Sequence, residues 1–549
     1  MNEAINLKQD GMLRWVPAEA LTPLTDVERR CDVEAIQRAV AHLGEVRVVS
    51  AELNTSGRFE APAAVKEQIA VAPFVENLPD FIDVRVEQTT PGGPVAQIIV
   101  WVPLEWNGRF FGVAGGGMRT LSDWFDLVPS RAATHASVLR NGFAVAGTDG
   151  GIRDLRPDAY AFDEQTREID WELLRNWSHR ATHDMTLVGK AVTEAVTGSA
   201  PRFSYFSGGS GGGRQSMAQA QRYPEDYDGI WATDPAINWS HFVPATIWPA
   251  LVMNQLGNVL PPEKFEAFRQ AAIAVTDGAD GLTDGLPKTL GEVDIDPFTV
   301  VGTPTSAGEI TVADAEVVQK IWQGPRTMDG EFLWHGLHPH AESWGTNFVR
   351  IGIAGTQEVD GQLEPVPFFH PLDWLGIYLL RDPAWDWKTL TFEQFEELFA
   401  RSVTEFAEFD TADPDLTGLR DAGAKLLITH ATGDEVIFYQ GTVDYYRRVQ
   451  EAMGGPEETS KFARLFITPG AGHVHMAGQN AAATLAGSMI ALMRWGEEGV
   501  APESLRADRY DVATGEVTMS RPVYPWPTET VYRGQGDPTE LASFGPAGE

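Results

Sequence analysis

Six short apolar runs, four of them followed by a helix-like stretch, constrain this chain more than any other feature of its sequence. The runs are 96–102 (AQIIVWV), 109–114 (RFFGVA), 142–147 (GFAVAG), 203–207 (FSYFS), 425–430 (KLLITH) and 464–468 (RLFIT). Continuous apolar runs of this length suit strands covered on both faces, the usual state of parallel strands. Helical patterns follow at 183–196, 212–222, 441–453 and 480–494. The alternation predicts a parallel α/β sheet.

Between about 240 and 422 that rhythm breaks. Strand-like runs become scarce, and Trp, Phe, Pro and acidic residues dominate, as in WHGLHPHAESWGTNF and PFFHPLDWLGIYLLRDPAWDW. The chain has 549 residues, whereas single cores stop growing near ~250–300. The expected organisation is an α/β core from residues 1–239 and 423–549 with an inserted lid at 240–422. Such a lid would cover the C-terminal strand ends, where open α/β sheets bind ligands. The tail from 500 to 549 is expected to wrap the surface.

Charge narrows the partners. Forty-two basic against 77 acidic residues leave a net −35, which disfavours nucleic acid and anionic membranes. No apolar run approaches the ~18 residues that a membrane span needs. There is one cysteine, Cys31, so no intramolecular disulfide can form. The N-terminal MNEAINLKQDGMLRW lacks the charged-then-apolar pattern of a secretory signal. These features set the expectation of a soluble cytoplasmic protein without an organic cofactor.

The chemistry concentrates at FSYFSGGSGGGRQS. Here Gly208-Gly209-Ser210-Gly211-Gly212 matches G-x-S-x-G, between an aromatic strand and a helix. In a nucleophile elbow small neighbours let the backbone turn sharply and expose the serine Oγ above the sheet. This is the α/β-hydrolase arrangement, in which an acid and then a histidine follow the serine along the chain. ATGDEV presents Asp434 just past the 425–430 run, and PGAGHVHMAG presents His473 and His475 past the 464–468 run. Two residues apart in an extended loop, only one of those imidazoles can face Ser210. The oxyanion calls for two backbone N–H donors, expected from Gly211 and from Gly116 in the Gly115-Gly116-Gly117 turn.

Four segments resemble the tannase and feruloyl esterase family, and the resemblance covers about 75 to 495. WNGRFFGVAGGG is similar to its oxyanion loop, and SYFSGGSGGGRQSMAQAQRYPEDYDGIWATDPA to its nucleophile block. KLLITHATGDEVIFYQGTVDYYRRV resembles the segment holding the acid, and ITPGAGH the segment holding the base. The PGxGH phrase selects His473 over His475. The resemblance implies a serine carboxylic-ester hydrolase acting on small-molecule esters of aromatic acids or bulky aryl compounds. One departure stands out: the cysteines that the family joins beside nucleophile and base are here Gly209 and Val474, so that bridge is absent.

The same resemblance implies a structural calcium site in 277–286 (DGADGLTDGL). Its ligands would be Asp277, Asp280 and Asp284 with the carbonyls of Leu282 and Leu286; three aspartates among glycines suit a hard cation. Other clusters carry weaker readings. His335, His338 and His340 read as lid packing rather than metal ligands. His179 and His183 share a helical face without the glutamate of H-E-x-x-H. Trp322, Trp334, Trp344, Phe368, Phe369 and Trp374 could wall an aromatic site, and Arg326 or Arg350 could anchor a carboxylate. Alternatives to ester hydrolysis are lactone or amide hydrolysis, acyl transfer on the same three residues, a catalytically silent binding protein, or a metal hydrolase built on the lid histidines.

Overall fold

The computed structural model describes residues 15–60, 74–90, 93–120, 133–152, 159–343, 352–475, 480–511, 514 and 516–548. Its centre is a nine-stranded sheet. The strands are β1 (Glu45–Asn54), β2 (Phe81–Thr89), β3 (Val95–Pro103), β4 (Arg109–Val113), β5 (Ala144–Thr148), β6 (Phe203–Gly209), β7 (Gly229–Thr233), β8 (Lys425–Ala431) and β9 (Ala463–Thr468). They lie in the order β9-β8-β7-β6-β4-β5-β3-β2-β1.

All six apolar runs are strands of this sheet, and β4 through β9 run parallel. The all-parallel expectation needs correction at one end. β3 pairs antiparallel with both β5 and β2, and β1 continues antiparallel beyond β2. Most of β3 is covered on both faces, so it reads as an apolar run whichever way it points. β1 alternates buried and exposed residues near its start, as a half-wet edge strand does.

Helices α1 (Ala181–Thr197), α2 (Gly211–Arg222), α3 (Tyr439–Ala452) and α4 (Leu485–Glu498) match the expected stretches. α4 starts at Leu485 rather than near 480 because Thr484 caps it, its side chain accepting from the Gly487 N–H. Among the described residues no helix is long and apolar enough to cross a membrane.

Register levels the strand ends that matter. Gly209 lies opposite Thr233, Thr233 opposite Thr429, and Ala431 opposite Thr468. The loops carrying Ser210, Asp434 and His473 therefore leave from one edge of the sheet.

The chain between β7 and β8 holds five longer helices, Trp239–Ala245, Trp248–Leu256, Pro262–Thr276, Val312–Gln323 and Phe392–Glu405, and the hairpin Gly355–Val359/Gln362–Val366. The five helices share an apolar cluster containing Trp239, Trp374, Phe395 and Phe406. Each such side chain contributes about 1.5–3 kcal/mol by burial. The cluster also takes in Ala159–Phe162, Leu173, Leu174 and Trp177, which precede β6 in sequence. Arg214 pins this mass to the sheet. Fully buried in the first turn of α2, it donates to the carbonyls of Phe409 and Ser178 and lies over the Trp177 ring at 4.4 Å.

The acidic segment at 277–286 meets the C-terminal tail, where β10 (Leu505–Tyr510) pairs with β11 (Val517–Val523). Lys288 Nζ lies 2.6 Å from Asp284 Oδ1 and 3.3 Å from Asp280 Oδ2. Arg521, on β11, reaches Asp280 Oδ2 at 3.0 Å and Asp284 Oδ2 at 2.9 Å. Asp277 accepts from the Asp284 and Gly285 N–H groups instead. Burial disfavours the charged form of Asp284, but Lys288 and Arg521 outweigh it and hold the carboxyl below its usual range. Side chains so engaged do not fit a calcium ion, which would sit against an ammonium and a guanidinium. The Lys288 side chain is 1% exposed, so removing it leaves two carboxylates facing one cation in a largely dry place. Lys288→Ala is expected to lower stability by about 3 kcal/mol, read by chemical denaturation, while EDTA leaves the wild-type midpoint unchanged. A chelator-induced drop in the wild type, restored by added calcium, would overturn this assignment.

Candidate active site

Ser210 sits between the last residue of β6 and the first of α2 with φ 61° and ψ −123°, a conformation that L-residues resist. The sheet holds it there. Its N–H donates to Thr233 O at 2.9 Å, and its carbonyl accepts from Arg214 N at 3.0 Å and Ala236 N at 3.1 Å. The glycines around it are required by contact. A Cβ at Gly211 would lie 2.2 Å from Gly117 O, and one at Gly212 would lie 2.1 Å from Gly115 O. These approaches press the Gly115–Gly117 turn against the start of α2. Gly116 O closes that turn by accepting from Arg119 N, and Gly115 N donates to Gln215 Oε1. The turn with Gly116 at its centre therefore packs on the first two residues of α2, directly after Ser210.

The acid and base come from the loops after β8 and β9. His473 Nε2 is 2.8 Å from Ser210 Oγ, and His473 Nδ1 is 2.8 Å from Asp434 Oδ2. Ser210, His473 and Asp434 therefore form one continuous hydrogen-bond chain. The side chain of the competing His475 lies outside the described residues.

Asp434 is fixed from both sides. Its Oδ1 accepts from the N–H groups of Val436 and Ile437, each at 2.8 Å. Its Oδ2 faces a second imidazole besides His473: His430 Nε2 at 3.2 Å, whose Nδ1 contacts Thr442 Oγ1. Burial works against the charge on Asp434, but the His473 and His430 imidazoles overcome it and keep the carboxyl well below the usual range. For His473 burial works against the imidazolium, and the Asp434 carboxylate more than reverses this, raising the base above the ordinary imidazole range. Such a base stays hydrogen-bonded to a fixed anion while it exchanges a proton with the serine.

Sequence reasoning did not find His430, Glu435 or His370. Glu435 is 1% exposed and accepts from the main-chain N–H of His473 at 3.0 Å. His370, in the inserted segment, presses on the oxyanion turn: a Cβ at Gly117 would be 2.9 Å from its Cε1. The Phe369 ring lies 4.2 Å from that of His370, tilted by 44°, and is 46% exposed. The signal for all three exists only in space: the partners that give them a role, Asp434 for His430, the His473 N–H for Glu435 and Gly117 for His370, are met through the fold.

The remaining candidates fall elsewhere. Trp374 and Phe368 are buried in the insertion's cluster, and Trp322 and Trp334 pack against it. Arg326 stacks over Phe332 and lines a groove with Trp322 and His335 that contains none of Ser210, Asp434 or His473. Trp344 and Arg350 lie outside the described residues. His335 pairs with Asp444, and His338 and His340 are buried against each other, with burial first and mutual repulsion next lowering His338 to about 3. His183 pairs with Asp226 and stacks on Tyr223, which also meets His179. Among the described residues the one group of three acid or imidazole side chains close enough to share an ion is Asp234, His430 and Asp434, and it includes the carboxylate bonded to His473.

The model of the family "Tannase and feruloyl esterase" matches residues 84–547. A probable feruloyl esterase from Arthroderma benhamiae is 36% identical over 498 residues, 87% of this chain and 89% of that protein. Feruloyl esterase C from Talaromyces stipitatus is 28% identical, over 84% of this chain and 85% of its own length. In fold, the chain resembles feruloyl esterase B from Aspergillus oryzae with a TM-score of 0.74 at 21% identity, covering 94% of this chain and all of that one. It also resembles tannin acyl hydrolase from Aspergillus niger, with a TM-score of 0.76 at 20% identity and coverage of 95% and 96%. These likenesses place the sheet and its insertion in the α/β-hydrolase fold. With a family match across most of its length and a relative of this closeness, the chain belongs to the tannase and feruloyl esterase family.

Proposed function

We propose that this protein hydrolyses carboxylic esters of aromatic acids through an acyl-enzyme on Ser210. The observation that carries the reading is the pair of 2.8 Å contacts linking Ser210 Oγ, His473 and Asp434. The serine proton passes to His473 Nε2 as Oγ attacks the ester carbonyl. Asp434, held ionised, orients the ring and stabilises the imidazolium. The main-chain N–H groups of Gly211 and Gly116 are the donors assigned to the oxyanion. His473 then gives its proton to the departing alkoxide, and water, activated by the same imidazole, releases the acid.

The aromatic acyl preference comes from the relatives named for feruloyl esters. Phe369 and His370, beside the oxyanion turn, are the aromatic side chains of the insertion best placed to meet such a group. The division into a core of 1–239 and 423–549 and a lid of 240–422 belongs to the same reading. The segment Ala159–Trp177 packs with the lid.

Ser210→Ala and His473→Ala are expected to lower kcat on an aryl ester by about 10⁴–10⁶. Asp434→Asn should cost about 10⁴ because it allows the wrong tautomer. Activity surviving in Ser210→Ala would sink the reading, as would failure of a fluorophosphonate to label Ser210. A panel of hydroxycinnamate esters, aryl lactones and anilides measures the chemistry itself, and esters should lead. The free base form of His473 is required, and its pKa is raised. The acid limb of kcat/KM should therefore have its midpoint above the ordinary imidazole value of about 6.5, with the rate climbing through neutrality. A midpoint at or below about 6 would contradict the raised base.

A further inference from the structure

The loop that carries His473 leaves β9 at Thr468 and is held by non-covalent contacts. No covalent bridge is available, since Cys31 is the chain's single cysteine. Directly after His473, Val474 adopts φ 45° and ψ 32°, which costs a β-branched residue about 1–3 kcal/mol. Strain of that kind persists only where neighbours over-determine the conformation.

The neighbours come from the segment just after β8. Thr432 Oγ1 accepts from Gly470 N at 2.8 Å, and Thr432 N donates to Thr468 O at 3.0 Å. Gly433 lies so close that a Cβ there would be 2.8 Å from Ala471 O. At the end of this contact, Glu435 Oε2 accepts the His473 N–H at 3.0 Å. Its own main chain is fixed in turn, with Glu435 O accepting from Ile353 N of the inserted segment at 3.1 Å.

We propose that Glu435 is a positioning residue for the base, holding the main chain of His473 while Asp434 holds its ring. This rests on His473 being the base. Two successive residues then grip one histidine at both ends, and the imidazole is left no freedom to swing away from Ser210. A displacement of about 1 Å at such a group costs on the order of 100-fold in rate. The chemistry of Glu435 suits the task. Burial, and then the neighbouring Asp434 charge, push its carboxyl well above the ordinary range. In its protonated form it accepts the N–H through Oε2 without placing a second negative charge beside Asp434.

The variants Glu435→Gln, Glu435→Asp and Glu435→Leu of the full chain separate positioning from bulk stability. Glutamine keeps a neutral acceptor at the same reach; aspartate is one methylene too short; leucine fills the space without an acceptor. The expected result is kcat within about threefold of wild type for Gln, and about 10- to 100-fold lower for Asp and Leu, with KM changed less than about twofold. Fluorophosphonate labelling of Ser210 should slow in parallel with kcat. If Glu435→Leu does not fold, the contrast between Gln and Asp carries the comparison. Equal kcat for Gln and Asp, or a change confined to KM, overturns the proposal while leaving the triad reading intact. Activity retained in both Ser210→Ala and His473→Ala overturns the two together.

Discussion

A main-chain conformation that serine resists is what the rest of this active site is built around. At φ 61° and ψ −123°, Ser210 carries strain of about 1–3 kcal/mol, and a flexible glycine loop would release it. The run GGSGGG is the opposite of flexible here. A Cβ at Gly208 would lie 2.5 Å from that of Ala114, and one at Gly213 would lie 2.7 Å from Thr233 O. The glycines are where backbone packs on backbone, and that packing, with the bond from Ser210 N to Thr233 O, keeps the hydroxyl above the strand ends.

Given that fixed hydroxyl, the remaining problem is electrostatic. A carboxylate buried as deeply as Asp434 would normally be expelled or protonated. Four contacts prevent this: two main-chain N–H groups on one oxygen and two imidazoles on the other. The charge is thereby both tolerated and immobilised, so His473 is oriented without any rearrangement when it becomes an imidazolium. His430 shares the load from within β8 itself, which ties the acid to the sheet rather than to its loop alone.

Much of this was legible in the sequence, for reasons that differ between residues. The strands β4, β5, β6, β8 and β9 are buried on both faces and therefore spell themselves as apolar runs. β1, β2 and β7 lie outside the six runs: β1 and β2 alternate between buried and more exposed residues, β7 is buried but only five residues long, and the direction of β3 escapes because burial carries no information on polarity. Ser210, Asp434 and His473 could be ordered along the chain because each follows a recognisable strand. The acidic segment at 277–286 reads as a calcium loop through its resemblance to the family's, and its cationic partners Lys288 and Arg521 are not visible to that comparison. Arg521 lies more than 230 residues downstream of Asp284, and no local pattern announces that it returns. His430 and Glu435 were invisible for a related reason: no residue type or spacing marks them, and their contacts with Asp434 and the His473 N–H exist only in the fold.

The contacts also show how the insertion reaches this edge of the sheet without supplying Ser210, Asp434 or His473. It meets the catalytic edge at three places. Arg214, one helical turn past the nucleophile, is held by the carbonyl of Phe409. Glu435, one residue past the acid, is held by Ile353 N. Gly117, in the oxyanion turn, is covered by His370. Nucleophile, acid and oxyanion turn each have a tether to the insertion within a few residues. Two of those tethers use main-chain atoms of the insertion, Phe409 O and Ile353 N, which a change of side chain there leaves in place, and the third is the His370 imidazole. Residues facing the substrate can therefore vary while the positions of Ser210 and His473 stay fixed, and a fold of this kind can change its acyl preference without rebuilding its catalytic edge.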